Sequence, residues 1–160
     1  MPDASPATIL LVEDNHGDVM LFREAIEGES TNLVLHTAKS VDEAIALLTG
    51  AGNSGIPVLP TIVLLDLHLP GKDGKAFLRY INKHPELMRI PVLVLSSSTR
   101  QIDIDECLRL GSRHYRVKPR DWAGYQDLIA YLRQFWSGGV KASPEVVTHG
   151  TQAPPISAGG

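Results

Sequence analysis

The feature that most constrains the fold is residues 62–74, IVLLDLHLPGKDG, in which four consecutive apolar residues lead directly into Asp66. Pro60 precedes this run and Pro70 and Gly71 follow it. A short, uniformly apolar run between turn signals is typical of a strand buried on both faces. Asp66 would then lie at the C-terminal edge of a central parallel strand, where open α/β sheets bind ligands. Because aspartate is also a common turn residue, Asp66 alone could simply cap the turn.

The same pattern recurs along the chain, with short apolar runs alternating with segments of helical periodicity. Five strands that alternate with five helices predict a doubly wound, five-stranded parallel sheet covered on both faces, an α/β fold. We expect one domain over residues 8–136, between a flexible N-terminus (1–7) and a flexible C-terminal tail (137–160). The predicted strands are 9–12, 33–38, 62–66, 92–95 and 115–117, and the predicted helices cover about 17–26, 41–48, 75–83, 104–110 and 122–136.

Composition excludes several classes of protein. The chain has 160 residues, 43% hydrophobic and 21% charged, which is typical of a soluble globular domain. No apolar run approaches the ~20 residues that span a bilayer, and no secretory signal is visible, so no membrane association is expected. The net charge of −3 argues against nucleic acid as the main partner. The single cysteine, Cys107, excludes an internal disulfide and fits the cytoplasm; its helical position predicts a buried thiol.

Chemically reactive side chains follow four of the five predicted strands. Glu13 and Asp14 follow the first strand, Asp66 ends the third, Ser96 follows the fourth and Lys118 the fifth. The carboxyl ends of parallel strands share one edge of the sheet. The sequence therefore predicts a single site that contains three carboxylates, one hydroxyl and one ammonium group.

These residue types suggest phosphoryl transfer. Three close carboxylates repel one another unless a cation neutralises them, and an all-oxygen acidic site suits Mg²⁺ or Mn²⁺. Asp66 could then act as a carboxylate nucleophile that forms an acyl phosphate. Lys118 would supply a positive charge for one phosphoryl oxygen and Ser96 a hydroxyl donor for another.

These motifs, in this order and spacing, resemble the receiver domain of two-component response regulators, and the resemblance covers about residues 9–136. It implies a flavodoxin-like receiver fold with strand order 2-1-3-4-5. The motifs that carry it are Glu13-Asp14, Asp66 within LLDLHLPGKDG, Ser96 after VLVL, Tyr115, and Lys118-Pro119.

The resemblance also implies roles for the acidic residues. Asp66 would be the phosphoacceptor, and Asp14 and Asp66 would be metal ligands. Glu13 would act mostly through water, and the backbone carbonyl of His68 would complete the ligand set. His68 also stands where the family tunes the lifetime of the phosphoryl group, so we hypothesise that it shields the acyl phosphate; the alternative is a solvent-facing loop histidine.

Ser96 and Tyr115 would form the conformational switch of the family. On phosphorylation the hydroxyl would move towards the phosphoryl group and the aromatic ring would turn inward. The family pattern further implies a cis peptide bond between Lys118 and Pro119.

A narrower resemblance is to the single-domain regulators that serve bacterial phytochromes. It rests on VEDN-x-x-D near the start, an extended loop at 49–60, the segment 82–92 and the terminal Phe135-Trp136. The implied partner is a sensor histidine kinase, such as a bacterial phytochrome. Asp18, the last residue of the first motif, is interpreted as a solvated residue at a helix start.

A homodimer through the last two helices and the fifth strand is also expected. The region 109–120 is basic, whereas Asp103, Asp105 and Glu106 are acidic and could pair with it across a two-fold axis. The aromatic residues of the terminal helix add apolar area that a dimer could bury. Output would come through such protein contacts, and the chain would be a self-phosphorylating and self-dephosphorylating switch rather than a turnover enzyme.

Two alternatives remain open at this stage. A degenerate receiver would serve only as a docking module, although the complete set of reactive residues argues against it. A phosphohydrolase of the haloacid dehalogenase kind also uses an aspartate nucleophile with Mg²⁺. That family requires a second aspartate two residues after the nucleophile, and here the position is His68.

Overall fold

The computed structural model describes residues 6–29, 32–52, 55–136 and 146–147. Five strands and five α-helices alternate as predicted, with boundaries that shift by up to four residues. The last predicted helix ends as an α-helix at Leu132 and continues as a 3₁₀ turn over Arg133–Phe135. The elements are β1 (Ala7–Val12), α1 (His16–Glu27), β2 (Leu33–Ala38), α2 (Val41–Thr49), β3 (Ile62–Asp66), α3 (Gly74–Asn82), β4 (Val92–Ser96), α4 (Gln101–Arg109), β5 (His114–Val117), α5 (Trp122–Leu132) and β6 (Val146–Val147).

All strand pairs are parallel, and the sheet order is β2-β1-β3-β4-β5-β6. The predicted order of the first five strands is confirmed. The two-residue strand β6 adds to the outer edge of β5, with Tyr115 opposite Val146 and Arg116 opposite Val147. It was not predicted, because a strand of two residues leaves no readable periodicity in the sequence. Most of the predicted flexible tail, and residues 1–5 of the predicted flexible N-terminus, lie outside the described residues.

The sheet carries a separate hydrophobic core on each face. One core lies under α1 and α5 and includes Phe22 and Leu128; the other lies under α2, α3 and α4 and includes Phe77 and Cys107. Every residue of β3 and β4 is buried, because helices cover both faces of the central strands. This double burial explains why the two strands are uniformly apolar up to their last, polar residue. Nowhere in the described parts of the chain is a helix both long and apolar enough to cross a membrane.

Side-chain caps mark where four of the five described α-helices begin, and α4 is the exception. Ser40 Oγ accepts the Glu43 N–H at 3.1 Å at the start of α2, and Asp73 Oδ1 accepts the Lys75 N–H at 2.7 Å at the start of α3. One backbone expectation is wrong: residues 6–29, 32–52 and 55–136 contain no cis peptide bond, so Lys118–Pro119 is trans. The trans isomer is the intrinsically favoured form of an X–Pro bond, and the loop after β5 accommodates it.

Candidate functional site

The C-terminal edge of the sheet gathers the side chains that follow β1, β3 and β5. Glu13, Asp14 and Asp66 each offer a carboxylate oxygen, and the three oxygens lie within 4.8 Å of one another. With Lys118 they line an open cleft of about 650 Å³. The structure therefore brings together four of the residues that the sequence assigned to one site.

Lys118 is the cation at the centre of this cleft. Its Nζ lies 2.7 Å from Glu13 Oε2, 2.8 Å from Asp18 Oδ2 and 3.3 Å from Asp66 Oδ2. An ammonium group has three N–H donors, so three carboxylates engage all of them. Burial of the ammonium alone would lower the pKa of Lys118. The hydrogen bonds to Asp18 and Glu13 and the charge of Asp66 outweigh this effect and raise the pKa.

The acidic side of the cleft carries more negative charge than Lys118 neutralises. Glu13 is only 3% exposed. Burial, and to a lesser degree the nearby charge of Asp66, raise the pKa of Glu13 from 4.5 to about 7, against the opposing effect of the bond to Lys118. At neutral pH this carboxyl group is therefore close to its midpoint of ionisation. A second cation in the cleft would relieve the repulsion.

The donor set fits a divalent cation. Its three carboxylates are hard oxygen ligands, and Asp14 is exposed at the mouth of the cleft, which leaves space for water on the cation. Small divalent ions such as Mg²⁺ and Mn²⁺ prefer this combination of carboxylates and water.

Backbone packing after β3 holds Asp66 in position. Its Oδ1 accepts the N–H of His68 at 3.0 Å, while the side chain of His68 is exposed at the cleft. The first residue of α3, Gly74, lies so close to this loop that a Cβ atom would be 2.5 Å from the Asp66 carbonyl oxygen and 2.9 Å from Leu67 Cα. Only glycine allows the helix to approach the strand end this closely.

Ser96 and Tyr115 lie next to the cleft and not within it. Ser96 is fully buried, and its Oγ accepts the N–H of Ser98 at 3.1 Å. The ring of Tyr115 is also fully buried, and its hydroxyl donates to the Ser98 carbonyl at 2.8 Å. Both side chains thus contact Ser98 in the β4–α4 loop. The neighbouring Ser97, which the sequence did not single out, lines the cleft.

Sequence reasoning missed the role of Asp18. It was interpreted as a solvated helix-start residue, but its carboxylate forms an ion pair with Lys118. Asn15 Oδ1 caps the N–H of Asp18 at 3.0 Å and so orients the first turn of α1 towards the cleft. The strand pattern gave no signal for this contact, because Asp18 lies in the first turn of α1 and not at a strand end.

Comparisons with known proteins agree with this geometry. The chain matches the model of the response regulator receiver domain over residues 9–130. It is 33% identical to the response regulator Rcp1 of Synechocystis sp. over 131 residues, which are 82% of this chain and 89% of Rcp1. The structure of the phosphorylated cyanobacterial phytochrome response regulator RcpA is similar, with a TM-score of 0.78, 33% identity and coverage of 88% of this chain and 100% of RcpA.

The Mn²⁺-bound form of Rcp1 gives a TM-score of 0.76 at 32% identity and covers 88% of this chain and 100% of the Rcp1 chain. The family model covers most of the present chain, and the relatives match it over most of their own length. The chain therefore belongs to the family of response regulator receiver domains.

Proposed function

We propose that the protein accepts a phosphoryl group on Asp66 from a sensor histidine kinase. The observation that carries the proposal is the position of the Asp66 carboxylate between two further acids and a lysine. It lies within 4.8 Å of ligand oxygens on Glu13 and Asp14, and 3.3 Å from Lys118 Nζ. A nucleophile, a cation site and a fixed positive charge are the parts that phosphoryl transfer requires.

In the proposed reaction, one oxygen of Asp66 attacks phosphorus while the phosphorus–nitrogen bond of the kinase phosphohistidine breaks. Lys118 donates to a phosphoryl oxygen and Asp66 becomes an acyl phosphate. Mg²⁺ would be held by Glu13, Asp14, Asp66 and the backbone carbonyl of His68, and its charge would balance that of the phosphoryl group. Water later attacks the phosphorus, the bond from phosphorus to the Asp66 oxygen breaks, and inorganic phosphate leaves. We propose that this self-dephosphorylation resets a switch and does not serve turnover of a substrate.

The switch that we propose runs through Ser98. Ser96 Oγ accepts the Ser98 N–H, and Tyr115 donates to the Ser98 carbonyl. If Ser96 turns towards a phosphoryl group, the Ser98 N–H loses its acceptor and the β4–α4 loop must move. The exposed side chain of His68 at the cleft would shield the acyl phosphate, so its replacement should alter the rate of dephosphorylation.

A bacterial phytochrome is the proposed kinase. RcpA is named as a phytochrome response regulator, and this chain is one-third identical to it over the whole RcpA structure. The single cysteine agrees with a cytoplasmic location, where such a kinase domain would meet its regulator.

We further propose a homodimer through α4, β5 and α5. Ile102, Leu108 and Trp122 on these helices are 65%, 37% and 42% exposed, so three large apolar side chains are accessible to a partner. Two sequence arguments for the dimer weaken, however: Asp103 and Glu106 form ion pairs within the chain, and Tyr131 and Phe135 pack on the chain's own His114. Sedimentation that shows only monomer at micromolar concentration, with and without a phosphoryl analogue, would exclude the dimer.

The phosphoacceptor proposal is tested by incubation with acetyl phosphate and Mg²⁺, followed by intact mass measurement. The wild type and Asp105→Asn, which changes an exposed carboxylate outside the cleft, should gain one phosphoryl group. Asp66→Asn should gain none. No gain in the wild type would favour the docking module, and sustained phosphate release from p-nitrophenyl phosphate would favour the phosphohydrolase.

A further inference from the structure

One carboxylate that contacts Lys118, namely that of Asp18, is required neither by the cation site nor by the phosphoacceptor. Its Oδ2 lies 2.8 Å from Lys118 Nζ, closer than the 3.3 Å between Lys118 and Asp66. We propose that Asp18 is a positioning residue that holds the Lys118 ammonium back from Asp66 and so limits how tightly the site retains a phosphoryl group. The inference rests on the proposed phosphoryl acceptance by Asp66.

Asp18 is built into this position. Its side chain is 28% exposed and that of Lys118 is 19% exposed, so the pair is partly shielded from water. Capping by Asn15 fixes the backbone of Asp18 in the first turn of α1. The nearby negative charge of Asp18 also acts on the buried Tyr125 of α5: burial first, and then this charge, raise the pKa of the Tyr125 hydroxyl. The carboxylate therefore lies in a defined place between α1 and α5.

The three acids around Lys118 differ in what happens to them when the site fills. Glu13 and Asp66 belong to the group of oxygens that lie within 4.8 Å of one another, so a divalent cation would draw on their charge. Asp18 lies outside that group and keeps its contact with the ammonium. A phosphoryl group on Asp66 must then share Lys118 with Asp18.

Loss of the Asp18 charge should therefore let Lys118 move towards the phosphoryl group. A partly exposed ion pair contributes on the order of 1 kcal/mol, so we expect Asp18→Asn to bind a phosphoryl analogue about fivefold more tightly. Binding of the cation alone should change in the opposite direction, because the released ammonium would compete with it at Glu13 and Asp66. If Asp18 had only a structural role, its replacement would lower both the affinity for the phosphoryl analogue and the affinity for the cation.

The experiment measures two affinities by calorimetry: that of beryllofluoride at saturating Mg²⁺, and that of Mg²⁺ alone. The variants are Asp18→Asn, the charge-preserving Asp18→Glu, and Glu24→Gln, which removes a charge from an exposed position on the same helix. We expect Asp18→Asn to bind beryllofluoride more tightly and Mg²⁺ no more tightly than the wild type. Asp18→Glu should restore the wild-type values, and Glu24→Gln should match them.

A double-mutant cycle separates action through Lys118 from direct repulsion between Asp18 and the phosphoryl group. In a Lys118→Ala background, Asp18→Asn should no longer increase the affinity for beryllofluoride. A gain that persists in that background, or any other combination of the two affinities, would overturn the role of Asp18. If the wild type itself neither binds beryllofluoride nor takes up phosphate from acetyl phosphate, the proposed function fails and this inference falls with it.

Discussion

Two clusters on this molecule contain the same types of charged side chain but differ in the ratio of carboxylates to cations. The first, which we name the edge cluster, places four carboxylates around one ammonium group: Glu13, Asp14, Asp18, Asp66 and Lys118. The second, which we name the α3–α4 cluster, places two carboxylates among three cations: Lys75, Arg79, Arg100, Asp103 and Glu106.

Carboxyl pKa values shift in opposite directions in the two clusters. Burial and the charge of Asp66 raise the pKa of Glu13 in the edge cluster. In the α3–α4 cluster, hydrogen bonds from Arg100 and Ser98 hold the pKa of Asp103 well below its usual range, and the bond from Lys75 lowers that of Glu106. In the α3–α4 cluster the cations outnumber the carboxylates, so both carboxylates are neutralised and the ion pairs stabilise the fold without a bound ion. The edge cluster has surplus negative charge, which a bound cation would neutralise.

The largest predicted effect is the pH dependence of stability in the presence of a metal chelator. The folded protein keeps the Glu13 proton up to pH about 7, whereas the unfolded chain releases it near pH 4.5. The folded state therefore loses stability as the pH rises through this window, by up to about 3 kcal/mol. Urea unfolding between pH 4.5 and 8 should show this loss in the wild type and much less of it in Glu13→Gln. Equal slopes for the two proteins would contradict the raised pKa of Glu13.

Removal of a carboxylate from the α3–α4 cluster should be destabilising. Asp103 accepts from Arg100 Nε at 3.0 Å and from the Ser98 hydroxyl, and it is mostly buried. Asp103→Asn should lower the free energy of unfolding by about 2 kcal/mol, because the mostly buried Asp103 side chain loses the charge that accepts from Arg100 and Ser98 and pairs with Lys75. The exposed neighbour Asp105 provides the control. Asp105→Asn should change the free energy of unfolding by less than about 0.5 kcal/mol.

Removal of a carboxylate from the edge cluster should instead stabilise the folded protein. Asp66→Asn relieves repulsion with Glu13, and Lys118 keeps its shorter contacts to Glu13 and Asp18. We expect the free energy of unfolding at pH 7.5, with chelator, to rise by about 1 kcal/mol, as is common when functional charge is removed. A loss of stability in Asp66→Asn similar to that in Asp103→Asn would mean that both clusters are structural.

The difference between the clusters also explains what could be predicted from the sequence. Glu13, Asp66 and Lys118 were predicted to meet because each follows a buried strand, and the ends of parallel strands share one edge. The contact of Asp18 with Lys118 depends on the direction in which the first turn of α1 faces. The strand pattern does not contain that information.

The α3–α4 cluster could not be predicted for a related reason. Lys75 pairs with Glu106 at 2.9 Å across two helices, and such a contact depends on the angle and separation at which the helices pack. The sequence shows three acidic residues on α4 but not their partners, and we expected them to pair with a second copy of the chain. The backbone pairing of β6 with β5 also had no local sequence signal.

The most direct test of this account is a calorimetric titration of the metal-free protein with Mg²⁺ at pH 7.5. One site should be observed in the wild type, retained in Asp103→Asn, and strongly weakened in Asp14→Asn, which removes an exposed carboxylate of the edge cluster. That result would identify the surplus charge at the sheet edge as a cation site. Mg²⁺ binding that is absent from the wild type, or unaffected by Asp14→Asn, would contradict it.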